Sequence, residues 1–255
     1  MPQIDILGDR LDYRMIEGSN PSQPTLVFVH HGLGSVELWR DFPDRLASAL
    51  DCPAMIYSRI GYGKSGPCTW PRPVSFLEDQ GLTTLPALLK TLSIDDAVLV
   101  GHSEGATISL VHAGNNGAGI RGVVAEAPHL FTEQAHIDAI GATKKAFETT
   151  DLKASLQRYH GDNIDCAFYG WAETWLQPGF RTWSIEKHIP PISCPVLGVR
   201  GADDEYGTHA QLERLIALST GPLETQIVAG GHAPHEEDPD KMVEMFARFI
   251  QPLLA

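Results

Sequence analysis

The stretch VLVGHSEGAT at residues 98–107 decides how this chain folds. An apolar run ends at Gly101, Ser103 stands between two glycines, and the small and apolar residues that follow suit a buried helix. In this strand–turn–helix context, Gly-x-Ser-x-Gly exposes a serine hydroxyl above a sheet. The turn is too tight for side chains at Gly101 and Gly105. We therefore predict that Ser103 is a nucleophile and that the N–H of Glu104 points at the group under attack, the alternative being an ordinary turn.

Composition narrows the class of protein. The chain has 255 residues, of which 43% are hydrophobic and 20% charged, and this size fits one α/β domain over residues 1–255. Its formal charge of −13 argues against binding to nucleic acid or to an anionic membrane surface. The expected partner is therefore a small-molecule substrate, while assembly into a homodimer is left open.

The cysteines and the first residues suggest a cytoplasmic protein. The four cysteines are scattered, with no CxxC pair and no cluster with histidine, which predicts reduced thiols and no metal site. Residues Met1–Arg10 lack the basic and apolar regions of a signal peptide, and no apolar run approaches the length of a membrane span.

Short apolar runs alternate with helical patterns, which is typical of a mostly parallel sheet flanked by helices. Ser35 is the expected N-cap of a helix that carries Leu38 to Leu50 on one face, and Pro86 is expected to kink a later helix or to start its regular part. Asp238 and Pro239 are expected to begin the last helix. The predicted strands are a hairpin within Gln3–Ile16, then Thr25–His30, Ala54–Ser58, Ala97–Gly101, Ile120–Ala127, Pro195–Arg200 and Thr225–Ala229.

The sheet pattern is interrupted between residues 130 and 190. Ile137–Phe147 and Leu152–Tyr159 are predicted helices, and the segment holds three of the five tryptophans. We predict a helical cap inserted into the core and lying over the strand ends. Its aromatic residues suggest a small apolar or aromatic substrate, although packing within the cap explains them equally well.

A serine nucleophile needs a base, and the base needs a carboxylate that orients it. In a parallel sheet these groups come from loops at the carboxyl ends of strands. We predict Asp204 as the acid, ahead of Asp203, Glu205 and Glu126, and His232 as the base. His235 is expected at a helix entry or in solvent.

The developing oxyanion needs amide donors. We expect the N–H groups of Glu104 and Leu33 to supply them, with His31 supporting the turn that holds Leu33 by a hydrogen bond. His102 is expected to pack within the elbow. No cofactor and no metal are implied.

Taken together, these motifs resemble the α/β-hydrolase superfamily. The resemblance rests on residues 31–34, 61–65, 101–105, 201–204 and 231–232, in an order and spacing that match over nearly the whole chain. Ser58 and Ile60 stand where related chains often carry Asp and Arg or Pro, so the packing of that loop must differ. Because the nucleophile is Ser103 and not an aspartate, haloalkane dehalogenase and epoxide hydrolase chemistry is disfavoured.

The resemblance implies an α/β-hydrolase fold with a cap and a serine hydrolase. We predict a carboxylesterase that works through an acyl-enzyme. The alternatives are a carbon–carbon bond hydrolase of the meta-cleavage-product type, which resembles this chain in the same way, and a non-catalytic small-molecule receptor on the same fold.

Overall fold

The computed structural model describes all 255 residues, and an eight-stranded sheet forms its centre. The strand order is β1-β2-β4-β3-β5-β6-β7-β8; β2 runs antiparallel to β1 and β4, and the strands from β4 to β8 along this order run parallel. This confirms the predicted sheet, including the N-terminal hairpin at its edge. The strands are β1 (Gln3–Ile6), β2 (Asp9–Ile16), β3 (Thr25–Val29), β4 (Ala54–Tyr57), β5 (Ala97–His102), β6 (Ile120–Glu126), β7 (Val196–Gly201) and β8 (Leu223–Val228).

Helices cover both faces of the sheet and bury nearly every residue of the central strands. On β3, Leu26 packs in one apolar layer with the helices at Phe42–Leu50 and Pro239–Ile250, while its neighbour Val27 packs in the opposite layer with the helix at Glu104–Asn116. Alternate residues therefore face opposite layers, which explains why these strands read as continuous apolar runs. The α-helices are α1 (Phe42–Leu50), α2 (Phe76–Asp79), α3 (Leu85–Thr91), α4 (Glu104–Asn116), α5 (Gln134–Thr149), α6 (Leu152–His160), α7 (Ile164–Leu176), α8 (Ala210–Leu218), α9 (Pro234–Glu237) and α10 (Pro239–Ile250).

The prediction that a helix begins directly after Ser35 is wrong. A short 3₁₀ turn covers Glu37–Trp39, the chain then takes a positive φ of 52° at Arg40, and α1 begins only at Phe42. Ser35 is buried and caps no helix. The apolar spacing was real, but the backbone break at Arg40 divides it between two elements.

Two other helix starts agree with the sequence. Asp238 caps α10 by accepting a hydrogen bond from the N–H of Lys241. Pro86 lies in the first turn of α3, directly after a π-helical turn at Gln80–Thr84. A proline has no N–H to donate and crowds the preceding turn, so the wider turn before it accommodates the ring.

The segment from 130 to 190, called the cap segment below, lies against the turn that follows β3. His160 Nε2 lies 3.0 Å from the carbonyl oxygen of Leu33, and a Cβ added to Gly32 would lie 2.4 Å from the Trp171 ring. Helices α5 and α6 cover the two predicted helices, and α7 is a third helix that we did not predict. None of the helices in the molecule combines the length and apolar composition needed to cross a bilayer.

Candidate active site

The elbow between β5 and α4 holds Ser103 in a strained conformation, with φ 56° and ψ −118°. The two flanking glycines are required by close contact and not only by flexibility. A Cβ on Gly101 would lie 2.4 Å from the carbonyl oxygen of Gly105, and a Cβ on Gly105 would lie 1.8 Å from that of Val29. The strain presents the Ser103 hydroxyl to a cavity instead of to the sheet.

Three distant loops bring Ser103, His232 and Asp204 together. The Ser103 Oγ lies 2.9 Å from His232 Nε2, and His232 Nδ1 lies 2.8 Å from Asp204 Oδ1. Asp204 follows β7 and His232 follows β8, as the parallel sheet led us to expect. The competing acid Asp203 is exposed, and Glu126 pairs with a different histidine.

Asp204 is held by a buried arginine that the sequence analysis missed. Arg200 Nη1 lies 2.5 Å from Asp204 Oδ2, and the two side chains are 0% and 1% exposed. The N–H of Tyr206 also donates to Asp204 Oδ1 at 2.9 Å. Burial raises the pKa of Asp204, but the hydrogen bond and charge of His232 and the charge of Arg200 together bring it below its usual value. The carboxylate is therefore ionised at neutral pH.

The two expected oxyanion donors differ in their present partners. Glu104 opens α4, so its N–H has no acceptor within the helix. The N–H of Leu33 donates to His31 Nδ1 at 3.3 Å, which is the supporting contact expected of His31. Burial lowers the pKa of His31 well below its ordinary value, so the neutral ring can accept that bond. Both amides border the cavity, and their role as oxyanion donors stays a prediction.

The Glu104 side chain ties the elbow to its surroundings. Its carboxylate is 1% exposed, lies 2.7 Å from Arg59 Nη2 and accepts a 2.6 Å hydrogen bond from Trp175 Nε1 of α7. The same Arg59 nitrogen donates to the carbonyl oxygen of His31 at 2.8 Å. One arginine thus links the elbow to the turn that carries Leu33. A charged residue beside the nucleophile was the only sequence signal for this network.

The loop after β4 is held by a carboxylate from outside the loop, because Ser58 stands at the position where an aspartate was considered. The Asp12 carboxylate of β2 accepts hydrogen bonds from the N–H of Lys64 at 2.9 Å and from the Ser65 hydroxyl at 3.0 Å. Ser58 instead accepts from the N–H of Val36 at 2.9 Å. The different packing expected for this loop therefore has a specific form, in which the carboxylate comes from a neighbouring strand.

His235 lies in the first turn of α9, which is the helix entry that was one of its two expected places, and it is buried and does not face solvent. Its Nδ1 lies 2.6 Å from Glu126 Oε2, and burial, which lowers the pKa of His235, is outweighed by the charge and hydrogen bond of Glu126. His102 packs beside it, as expected, with Nε2 2.9 Å from the carbonyl oxygen of His232. These three buried side chains are grouped closely enough to suggest metal ligands. Glu126 Oε2 and His235 Nδ1 are instead in direct contact as an ion pair, which leaves no gap for an ion between them.

Two further buried histidines border the site. His129 Nε2 lies 3.4 Å from Ser103 Oγ, and His136 stacks on His129 with ring centroids 4.0 Å apart. The sequence carried a usable signal for His129, since it stands in the loop after β6, the strand beside β5. It carried none for His136, which belongs to α5 in the cap segment.

A cavity of about 280 Å³ opens above Ser103. Four glutamates stand at its lining, and no lysine or arginine does. Its walls therefore disfavour an anionic group. The lining residues are His31, Gly32, Leu33, His102, Ser103, Glu104, His129, His136, Trp171, Glu205, Tyr206, His232, Ala233, Glu236 and Glu237.

Comparison with known proteins identifies the family. Residues 26–245 match the model of the alpha/beta hydrolase family, so the chain belongs to that family. This confirms the predicted fold and makes the chain a hydrolase.

Individual relatives cover nearly the whole chain. It is 26% identical to a proline iminopeptidase from Heyndrickxia coagulans, over 97% of both chains. The enol-lactonase from Burkholderia xenovorans LB400 superposes with a TM-score of 0.73 at 18% identity, covering 98% of this chain and 99% of that one. An esterase from Exiguobacterium antarcticum gives 0.74 at 17% identity and 98% of both chains. At such identities the two structures are evidence for the fold alone.

Proposed function

We propose that the protein hydrolyses a small carboxylic ester through an acyl-enzyme on Ser103. The observation that carries this proposal is the unbroken hydrogen-bond chain from Ser103 through His232 to the ionised Asp204, at the base of a cavity. A hydroxyl, an imidazole and a carboxylate in this order are the parts that acyl transfer needs. The pairing of Asp204 with Arg200 keeps the carboxylate in place while the imidazole changes its protonation state.

The first half of the reaction forms the acyl-enzyme. Ser103 Oγ attacks the ester carbonyl carbon while His232 Nε2 takes the hydroxyl proton, and Asp204 stabilises the resulting imidazolium. The N–H groups of Glu104 and Leu33 donate to the oxyanion, and the Leu33 amide exchanges its long bond to His31 for this one. His232 then protonates the alcohol oxygen as the carbon–oxygen bond breaks.

The second half releases the acid. A water molecule enters in place of the alcohol, His232 takes its proton, and the hydroxide attacks the acyl carbon. The tetrahedral intermediate collapses with breakage of the bond to Ser103 Oγ, which recovers its proton from His232. No cofactor takes part in either half of this scheme.

The cavity defines the size of the proposed substrate better than its polarity. Most of the aromatic side chains of the cap segment pack within the cap, where Phe168, Trp175, Phe180 and Trp183 are 0–4% exposed. Of the cap's aromatic rings, Trp171 lines the cavity. Fewer aromatic side chains contact the cavity than the sequence suggested, so the support for an apolar or aromatic substrate is weaker. We therefore propose a small, uncharged ester as the substrate.

A second candidate is removal of an N-terminal residue from a peptide. It is favoured by the relative from Heyndrickxia coagulans, which is named a proline iminopeptidase and matches over nearly the whole chain. The lining glutamates Glu205, Glu236 and Glu237 would also suit a substrate ammonium group. The same triad can cleave an amide, so the two candidates differ in substrate and not in mechanism.

The carbon–carbon hydrolase and the receptor have less support. The first needs a pocket that stabilises an enolate-like intermediate, and the cavity presents glutamates with no arginine or lysine to balance that negative charge. The receptor alternative predicts a damaged triad, whereas Ser103, His232 and Asp204 are all within hydrogen-bond reach.

The decisive experiment compares the native protein with Ser103→Ala on p-nitrophenyl acetate and butyrate and on L-proline p-nitroanilide. We expect ester turnover by the native protein and a loss of at least about 10³-fold in kcat in Ser103→Ala. Labelling of Ser103 by a fluorophosphonate, located by peptide mass spectrometry, is the second readout. Faster turnover of the anilide than of the esters would favour the peptidase. No turnover and no labelling would contradict both candidates and favour a receptor.

A further inference from the structure

The stacked imidazoles of His129 and His136 form a wall of the cavity whose chemistry the triad does not use. The backbone of His129 is held in place, because its backbone N–H donates to Thr107 Oγ1 at 3.1 Å and its backbone carbonyl oxygen accepts from that hydroxyl at 2.8 Å. His136 reaches the same place from α5, and the two ring planes differ by 16°. The side chains are 1% and 2% exposed, so the pair lies at the closed end of the cavity.

Both rings are neutral. Burial lowers the pKa of His129 well below its ordinary value and lowers that of His136 to about 3. A neutral imidazole has one N–H donor and one bare nitrogen that accepts. In each ring Nδ1 is buried and has no partner, so a molecule in the cavity cannot reach it. The nitrogen that can form a hydrogen bond with a bound molecule is therefore Nε2. His129 Nε2 has only the long 3.4 Å contact to Ser103 Oγ.

We infer that His129 and His136 form a subsite for a hydroxyl group on the acyl part of the substrate, next to the ester carbonyl. This inference rests on the proposed function. A hydroxyl both donates and accepts, so it can accept from one imidazole N–H and donate to the bare nitrogen of the other. A carboxylate lacks the donor and meets the lining glutamates, while an ammonium group lacks the acceptor. The substrate class is therefore an ester of a 2-hydroxy carboxylic acid.

The position of the pair assigns the hydroxyl to the acyl part. His129 reaches Ser103 Oγ, so it also reaches an atom attached to the carbon beside the carbonyl that Ser103 attacks. The glutamates Glu236 and Glu237 are exposed, whereas the histidine pair is closed off. The alcohol must leave by the exposed side, while the acyl group stays bonded to Ser103. The closed end therefore holds the acyl group.

The test uses two esters that differ by a single hydroxyl, ethyl lactate in both enantiomers and ethyl propionate. Acid release is followed by titration at constant pH. We expect the native protein to favour one lactate enantiomer over propionate by about tenfold in kcat/KM, the value of one buried hydrogen bond. His136→Phe keeps the stacking on His129 but removes the nitrogens, and it should bring the ratio of lactate to propionate kcat/KM to about one.

Two variants guard against misinterpretation. His136→Gln retains a donor and an acceptor and should keep part of the preference for lactate, which a purely structural role would not predict. His209→Phe replaces an exposed histidine outside the cavity and should leave the ratio unchanged. Circular dichroism checks that each variant is folded.

Three results would overturn the subsite. Equal turnover of lactate and propionate by the native protein contradicts it and leaves the proposed esterase standing. An unchanged ratio in His136→Phe does the same. Turnover of neither ester, together with no labelling of Ser103 by a fluorophosphonate, contradicts the subsite and the proposed function together.

Discussion

At the scale of single residues, the environment of Asp204 explains why this acid and not its neighbours meets His232. Asp204 is buried against Arg200, whereas Asp203 is exposed one position earlier in the same loop. Arg200 also donates to the carbonyl oxygen of Pro128 at 2.8 Å. The arginine thus connects the loops after β6 and β7 and sets the position of the acid. The charge of Asp204 serves both the proposed catalysis and the burial of Arg200.

Asp204→Asn should therefore damage activity and stability together. The amide cannot stabilise an imidazolium, so kcat for esters should fall by about 10³–10⁴-fold. The buried guanidinium loses its counter-charge, which should lower the free energy of unfolding by about 3 kcal/mol. The measurements are ester kinetics and urea unfolding.

The matched control is Asp203→Asn, which removes the same charge from the same loop. It should leave kcat within about threefold and stability within about 0.5 kcal/mol of the native values. The assignment of Asp204 is wrong if Asp203→Asn is the more damaging of the two substitutions.

At the scale of elements, α7 of the cap segment is connected to the elbow through one hydrogen bond. Trp175 Nε1 donates to Glu104 Oε1 at 2.6 Å, and Glu104 is the first residue of α4. The carboxylate is almost fully buried, with Arg59 as its other partner. The cap segment therefore helps to hold the residue whose N–H is a proposed oxyanion donor.

Trp175→Phe should test this connection. It leaves one lone pair of a buried carboxylate unmatched, which should cost about 1–3 kcal/mol of stability and reduce kcat for esters several-fold. Trp183→Phe is the matched control, because Trp183 is also buried in the cap but its Nε1 has no partner. Both substitutions remove the same atoms from the core of the cap. Equal losses of kcat in the two variants would show that the hydrogen bond to Glu104 has no special role.

The elements that could be predicted are those whose pattern is local. The strands read as apolar runs because both faces are covered, and the elbow follows from two glycines around Ser103. The break at Arg40 could not be predicted, since the apolar spacing continues across it. The contacts of Glu104 and His136 could not be predicted either, because each depends on how the cap segment packs on the sheet. Local pattern predicted the loops that carry the triad, and tertiary packing decided what surrounds it.

At the scale of the whole molecule, burial of histidine couples folding to pH. Seven of the eleven histidines have a pKa below the ordinary value, and burial is the largest cause in each of them. Below the unfolded value of about 6.5, the unfolded chain takes up protons that these folded side chains do not. Their contribution to stability is therefore present above pH 6.5 and lost as the pH falls. The seven are His30, His31, His102, His112, His129, His136 and His160.

His235 acts in the opposite sense, because Glu126 raises its pKa in the folded state above the ordinary value. Its contribution is fully present below pH 6.5 and is lost as the pH rises through the folded value. Only one histidine acts in this sense and seven act in the other, so the loss of stability at acid pH should dominate.

We therefore expect the urea midpoint to fall steeply between pH 6.5 and pH 5. Each histidine that excludes a proton contributes a slope of up to about 1.4 kcal/mol per pH unit, so the sum over several should reach several kcal/mol. His112→Phe removes one such group away from the active site and should make the slope shallower. His209→Gln removes an exposed histidine and should leave the slope unchanged. A midpoint that stays constant from pH 7.5 to pH 5 would contradict the buried, neutral state of these side chains, including the pair proposed to bind the substrate hydroxyl.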